Sequence, residues 1–78
     1  MRAKMKVVSV EQVEHCETVK MAAVAKTGAY PEDGTDEDNT YATYTPSADL
    51  TIQINNPALF GKHKLGQKYY LDFTKAPG

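Results

Sequence analysis

An alternation of apolar and polar residues, repeated in several short segments, most constrains what this chain can fold into. In residues 48–54, the apolar residues Leu50, Ile52 and Ile54 are separated by single polar residues. A period of two places successive side chains on opposite faces of a β-strand. The pattern therefore predicts a strand here with one apolar and one polar face.

Two further alternating segments predict a β-hairpin near the N-terminus. Residues 3–12 and 18–26 both alternate, and residues 14–17 interrupt the pattern as a turn. A helix over residues 11–25 is the competing prediction, because Glu, Ala, Met and Lys are good helix formers. The β-branched valines of that segment weaken it. We therefore expect the hairpin.

The first of these strands changes face along its length. Ala3, Met5 and Val7 point one way, whereas Val8 and Val10 bring apolar side chains onto the other face. This change predicts a β-bulge or burial on both sides of the strand.

The C-terminal third predicts one helical turn followed by a last strand. Asn56 is an N-cap candidate, Pro57 stands at the favoured first helical position and Gly61 at the end of the turn. Residues 65–67 have turn composition, and residues 68–74 alternate as a strand.

Length and cysteine count limit the architecture. At 78 residues and 41% hydrophobic, the chain is one small domain, residues 1–78, with a thin core. We predict a mainly β fold: a small antiparallel sandwich or partly closed barrel of four to five strands with one short helical turn. The single Cys16 supplies neither an intrachain disulfide nor a cysteine-rich zinc site, so we expect stabilisation by homo-oligomerisation. Without a long apolar run or a leader, we expect a cytosolic protein with no membrane contact.

Acidic residues are concentrated in one segment. Residues 27–40 contain five carboxylates, two glycines and one proline. This composition predicts a mobile acidic loop that is too hydrophilic to pack. The rest of the chain is mildly basic, which favours an anionic ligand, although solvated charged loops are common.

The sequence offers little for catalysis, metal binding or cofactor binding. His15 and Cys16 adjoin, but neighbouring strand residues face opposite ways. His15 and His63 lack carboxylates at ligand-like spacing, and the acidic run 36–38 lacks calcium-loop spacing. No glycine-rich phosphate loop is present. We therefore expect a protein that is not an enzyme and has no metal or cofactor.

Residues 39–47 are the first candidate ligand-binding segment. Tyrosine rings can stack on a base, and hydroxyl groups and loop backbone N–H groups suit phosphate and ribose oxygens. The alternative is that the tyrosines only cover an edge of the core. The candidate residues are Tyr41, Tyr44, Thr45, Pro46 and Ser47.

The alternating cations of the first strand are the second candidate. Arg2, Lys4 and Lys6 lie on one face of that strand, where they can bind phosphates. The alternative is a solvated face or protection of an edge strand from unwanted pairing.

Three sequence blocks resemble a known family. They are Asn-Thr-Tyr-Ala-Thr-Tyr-Thr-Pro-Ser at 39–47, Ile-Asn-Asn-Pro-Ala at 54–58 and Gly-Gln-Lys-Tyr-Tyr-Leu-Asp-Phe-Thr at 66–74. In this order, after a basic first strand, they resemble a widespread family of very small tailed-phage proteins. We connect that family with anti-CBASS sponges, which assemble as tetramers and sequester cyclic dinucleotides such as cyclic GMP-AMP.

The resemblance implies a function in the cytoplasm of an infected bacterial host. It implies that residues 44–47 and the basic first strand line a ligand pocket between subunits, and that the ligand is a cyclic oligonucleotide held without hydrolysis. The chain departs from the pattern at Ala48, where glycine is expected, and in its long acidic loop. Both departures affect which nucleotide fits.

Two other functions remain open from the sequence. One is a single-strand nucleic-acid binder with Tyr41, Tyr44, Tyr69 and Tyr70 as stacking platforms. The net charge of −1 opposes binding of a long nucleic acid. The other is a virion or assembly protein whose exposed strand edges join subunits.

Overall fold

The computed structural model describes residues 1–78, which form one antiparallel sheet of four strands in the order β3-β2-β1-β4. The strands are β1 (Arg2–Val13), β2 (Cys16–Ala23), β3 (Asp49–Ile54) and β4 (Lys68–Asp72). A short 3₁₀ turn, Pro57–Leu59, is the only helical element. The predicted mainly β class and the N-terminal hairpin are confirmed.

The sheet is open. β3 and β4 are its two edges, separated by the central hairpin of β2 and β1, so the sheet does not close into a barrel. The molecule extends over 48 × 35 × 15 Å, consistent with a single layer of sheet and its loops. Closure requires the two edge strands to pair with each other, and here each edge strand pairs only with one strand of the hairpin.

No helix in the structure has the length and hydropathy needed to cross a bilayer.

Of the two explanations predicted for the altered pattern of β1, a β-bulge and burial on both faces, the structure shows the β-bulge. Val7 pairs with Met21, but the next aligned residue is Ser9, so Val8 is the extra residue. Val8 is exposed, whereas Val10 packs against the core. The bulge shifts the alternation by one residue and thereby returns Val10 to the apolar face.

The core occupies one face of the sheet and is thin. Six apolar side chains are buried there: Ala3, Met5, Val7, Val19, Met21 and Ile54. Loop residues Tyr41, Ala48 and Phe60 pack against them. Because no second sheet or helix covers this face, the loops provide its only cover within the chain.

The connection from β3 to β4 covers part of the apolar face. Asn56 caps the 3₁₀ turn by accepting a hydrogen bond from the Ala58 N–H, as its sequence predicts. Beyond the turn, the Gly61 N–H donates to a carboxylate oxygen of Glu17 at 3.0 Å. This bond fixes the connection to β2, and it satisfies one oxygen of a carboxylate that is only 1% exposed.

The acidic loop is packed at its C-terminal end. Asp36 and Asn39 are buried, so the prediction that this composition is too hydrophilic to pack is wrong for these residues. Asn39 donates to the Val24 carbonyl at 2.9 Å and to Asp36 Oδ2 at 3.2 Å. Buried polar groups are tolerated when they are hydrogen-bonded, and these bonds satisfy them.

Candidate anion-binding face

The face of the sheet opposite the core carries five cations, and we call it the basic face. The core residues of β1 and β2 alternate with cations that point to the other side. β4 adds Lys68 and Tyr70 to the same side, because Lys68 pairs with Lys6 and Tyr70 pairs with Lys4. The cations of the basic face are Arg2, Lys4, Lys6, Lys20 and Lys68.

Arg2 is held by two neighbours on β4. Its Nε lies 2.7 Å from Asp72 Oδ1 and its Nη2 lies 3.4 Å from Asp72 Oδ2. The guanidinium also stacks over the Tyr70 ring, 4.4 Å from its centre. The hydrogen bond with Arg2 lowers the pKa of Asp72, and the same bond raises the pKa of Arg2. Both groups therefore stay charged near neutral pH.

Asp38 of the acidic loop lies on the basic face. The Tyr70 hydroxyl donates to Asp38 Oδ1 at 2.7 Å, and Lys4 Nζ lies 3.4 Å from Asp38 Oδ2. The pKa of Asp38 is lowered, mainly by the Tyr70 hydrogen bond and further by the Lys4 charge. The same hydrogen bond raises the pKa of Tyr70, because it stabilises the neutral phenol. The loop thus places one carboxylate where two donors converge.

The other three lysines of the basic face have no ion-pair partner. The salt bridges of the molecule are Arg2–Asp72 and Lys4–Asp38. Lys6 and Lys68 are directly opposite each other on β1 and β4, so two like charges are adjacent. Their mutual repulsion makes this end of the face a favourable position for an anion.

A cleft borders the basic face beside the acidic loop. Its volume is about 270 Å³, and it lies between residues 24–27 and residues 36–38. Lys4, Lys26 and Lys68 contribute cations to its lining. The acidic residues of the loop form the opposite wall. The cleft therefore combines cations, which suit an anionic ligand, with carboxylates that compete for them.

Tyr41, predicted as a ligand residue, lies on the core side instead. Its ring packs against the buried cluster, and its hydroxyl oxygen is buried without a hydrogen-bond partner. Burial raises the pKa of this hydroxyl, and the charge of Asp36 raises it further. The alternative that Tyr41 covers an edge of the core describes its place in the structure.

Tyr44 anchors the acidic loop. Its hydroxyl donates to the Glu32 carbonyl at 2.7 Å. The Tyr30 ring packs edge-on against the Tyr44 ring, with 6.0 Å between the ring centres. Its ring lies so close to Gly34 that a Cβ there would be 2.8 Å from the ring carbons. The backbone of Tyr44 adopts a φ of 62°, a left-handed conformation uncommon for a side chain of this size. These contacts use the hydroxyl and one side of the ring within the loop.

The predicted site residues therefore divide into two groups. Arg2, Lys4 and Lys6 share the basic face, as their alternation predicts. The second group is the candidate segment that contains Tyr41, Tyr44, Thr45, Pro46 and Ser47. In the part that leads into β3, Pro46 is buried and Thr45 and Ser47 are exposed. Within one chain, the structure does not bring the second group onto the basic face.

The structure adds to the basic face residues that the sequence analysis did not group with the cations of the first strand. Lys68 and Tyr70 are two residues apart in β4, so the sequence alone predicts that they lie on the same face of that strand. Their pairing with β1 is not predicted, since the paired residues of the two strands are more than sixty positions apart in the chain. Asp38 sits in a loop without periodicity, and no sequence pattern predicts its contact with Tyr70.

No protein-family model matches the chain, and no match was found among curated proteins or solved structures. No group of three or more His, Cys, Asp or Glu side chains is arranged to hold a metal ion.

Proposed function

We propose that this protein is a phage counter-defence sponge. It binds a cyclic oligonucleotide immune signal, such as cyclic GMP-AMP, and sequesters it without hydrolysis. The observation that carries the proposal is the adjacent pair of lysines without ion-pair partners, Lys6 and Lys68, next to the Arg2–Tyr70 stack on one face of the sheet. Lys20, also without an ion-pair partner, lies further along the same face, opposite Ser9. The family resemblance supports the same ligand class.

The chemistry of the basic face suits such a ligand. A cyclic oligonucleotide presents phosphodiester charges, ribose hydroxyls and flat bases. Lysine ammonium groups attract the phosphates as point charges, and the half-exposed ring of Tyr70 offers a surface for a base. A sponge has to bind more tightly than the host receptor, so nanomolar affinity, about −12 kcal/mol, is needed.

Affinity of this order needs more burial than one open sheet face gives, and assembly of several copies supplies it. An uncovered part of the apolar face supports assembly. A cavity of about 150 Å³ there is lined by eight hydrophobic residues and Asp49. Its rim includes Met1 and Phe73, both well exposed. We propose a homo-oligomer, with a tetramer as the expected state from the resemblance, in which this face is covered and the candidate segment 44–47 of one subunit approaches the ligand of another.

The test is calorimetry of the purified protein against a panel of cyclic di- and trinucleotides. We expect nanomolar binding of at least one member, with the intact nucleotide recovered after the protein is denatured. Replacement of both Lys6 and Lys68 by Gln should weaken binding at least 100-fold. Replacement of both Lys62 and Lys64, exposed lysines on the β3–β4 connection, by Gln is the matched control and should leave the affinity unchanged. Absence of binding across the panel would overturn the proposal.

A single-strand nucleic-acid binder is the second candidate. The observation in its favour is the openness of the basic face, on which Tyr70 and the lysines form a flat platform. Such binding involves several phosphates and weakens steeply as salt increases. Titration of a labelled oligothymidylate at several salt concentrations tests it. A flat salt response or no binding removes this candidate.

A further inference from the structure

We infer that the position occupied by the Asp38 carboxylate is a phosphate subsite, and that Asp38 is an internal ligand displaced by the phosphate of the bound nucleotide. The inference rests on the proposed function and adds its regulation. It starts from the two donors that meet at this carboxylate, the Tyr70 hydroxyl at 2.7 Å and Lys4 Nζ at 3.4 Å.

The donors suit a phosphate as well as a carboxylate. Each donor contacts a different oxygen of Asp38, so the arrangement binds an anion with at least two acceptor oxygens. A phosphodiester offers two such oxygens and one negative charge. The positive charge of Arg2, stacked over Tyr70, further stabilises an anion at this position.

The acidic loop allows the Asp38 side chain to leave without unfolding. Its flanking residues are fixed: Asn39 is fully buried, and Asp36 Oδ1 accepts the Asp38 N–H at 3.0 Å. The Asp38 side chain is itself 32% exposed, so rotation about its own side-chain bonds moves the carboxylate into solvent. Only two hydrogen bonds to side chains are then exchanged for those of the incoming phosphate.

Asp72 differs from Asp38 and stays in place. It binds Arg2 through two oxygens and belongs to β4, directly opposite Arg2 in the sheet. Asp38 therefore restricts which ligands can bind at this position. A phosphate can replace the carboxylate, whereas a nucleoside without phosphate cannot, and competition from Asp38 lowers the apparent affinity for every anion.

The test uses inorganic pyrophosphate as the probe, with affinity measured from backbone amide chemical shifts of Lys4 and Tyr70. Asp38→Asn removes the competing charge and keeps the shape of the side chain. Glu32→Gln is the matched control, because it makes the same charge change at an exposed position of the same loop, outside the cleft, at a side chain without a hydrogen bond or salt bridge. We expect Asp38→Asn to bind pyrophosphate about tenfold more tightly than the wild type, since tenfold corresponds to about 1.4 kcal/mol. Glu32→Gln should remain within about twofold of the wild type.

Equal affinities in Asp38→Asn and Glu32→Gln, whether measurable or absent, would overturn the inference, as would weaker binding in Asp38→Asn. Asp38→Ser serves as a second variant if the first loses its fold. Failure of the proposed function is a separate result: pyrophosphate then binds more tightly to Asp38→Asn, while no cyclic nucleotide binds to any variant.

Discussion

The side-chain oxygen of Asn39 accepts a hydrogen bond from the backbone N–H of Lys4 at 3.0 Å, where a residue of β2 would otherwise pair. β2 ends at Ala23, and the chain then departs from β1 after one more bond, from the Val24 N–H to the Lys4 carbonyl. Asn39 takes over the pairing with its side chain. The acidic loop is thereby joined to the strand that carries the basic face.

We expect Asn39→Ala to destabilise the fold by about 2–4 kcal/mol. The change leaves the Lys4 N–H and the Val24 carbonyl without partners. A fully buried unsatisfied group costs roughly 1–3 kcal/mol, and these two groups are partly buried, so their combined cost lies in the lower part of the range for two groups. Urea unfolding at neutral pH measures the loss. Thr43→Ala, at an exposed position between the acidic loop and β3, is the control. A loss below 0.5 kcal/mol, as is usual for surface changes, would contradict this role of Asn39.

Two substitutions of Glu17 separate its role as a hydrogen-bond acceptor from the effect of its negative charge. Its Oε2 accepts the Gly61 N–H, while its Oε1 is buried without a partner. Glu17→Gln keeps the acceptor and removes the carboxylate, so we expect stability equal to or above that of the wild type. Glu17→Ala removes the acceptor as well, and we expect it to be about 1–3 kcal/mol less stable than Glu17→Gln. Thermal and urea unfolding of both variants give the comparison; equal stability would show that the bond to Gly61 is unimportant.

The Arg2–Asp72 pair makes stability depend on pH in the acid range. The folded-state pKa of Asp72 is lowered from an ordinary value of 3.8, so its stabilisation is complete above that value and is lost as the pH falls through the folded-state pKa. Asp72→Asn should be less stable than the wild type at pH 7. The difference should shrink below about pH 4, the ordinary pKa of the carboxyl. Urea midpoints at a series of pH values measure it, and a difference that persists unchanged to the lowest pH would exclude the ion pair as its cause.

Lys68 is expected to limit stability while it serves binding. Lys68→Glu replaces a repulsive cross-strand pair with Lys6 by an attractive one, which should stabilise the sheet by about 0.5 kcal/mol. The same change removes a cation from the basic face and should weaken cyclic nucleotide binding at least tenfold. Unfolding and calorimetry of one sample measure both effects. A variant that gains stability and keeps its affinity would place the ligand away from this face.

Local pattern in the sequence was sufficient to predict much of the fold. The alternation in residues 48–54 predicted β3, and the change of face after Val7 predicted the bulge. Asn56 and Pro57 predicted the capped turn. Each of these features depends on contacts among neighbouring residues or on the two-residue period of a strand, so the sequence carries the information directly.

Tertiary structure alone decided which residues join Arg2, Lys4 and Lys6 on the basic face. Pairing of β1 with β4 brings Lys68 and Tyr70 beside the lysines of the first strand, and the buried amide of Asn39 holds Asp38 over them. The tertiary structure also separates Tyr41, which packs on the core, from Tyr44, which anchors the loop. These placements depend on strand partners far apart in the chain and on side-chain hydrogen bonds in a loop without periodicity. Neither leaves a repeating pattern in the sequence, because long-range pairing is chosen by the packing of the whole sheet.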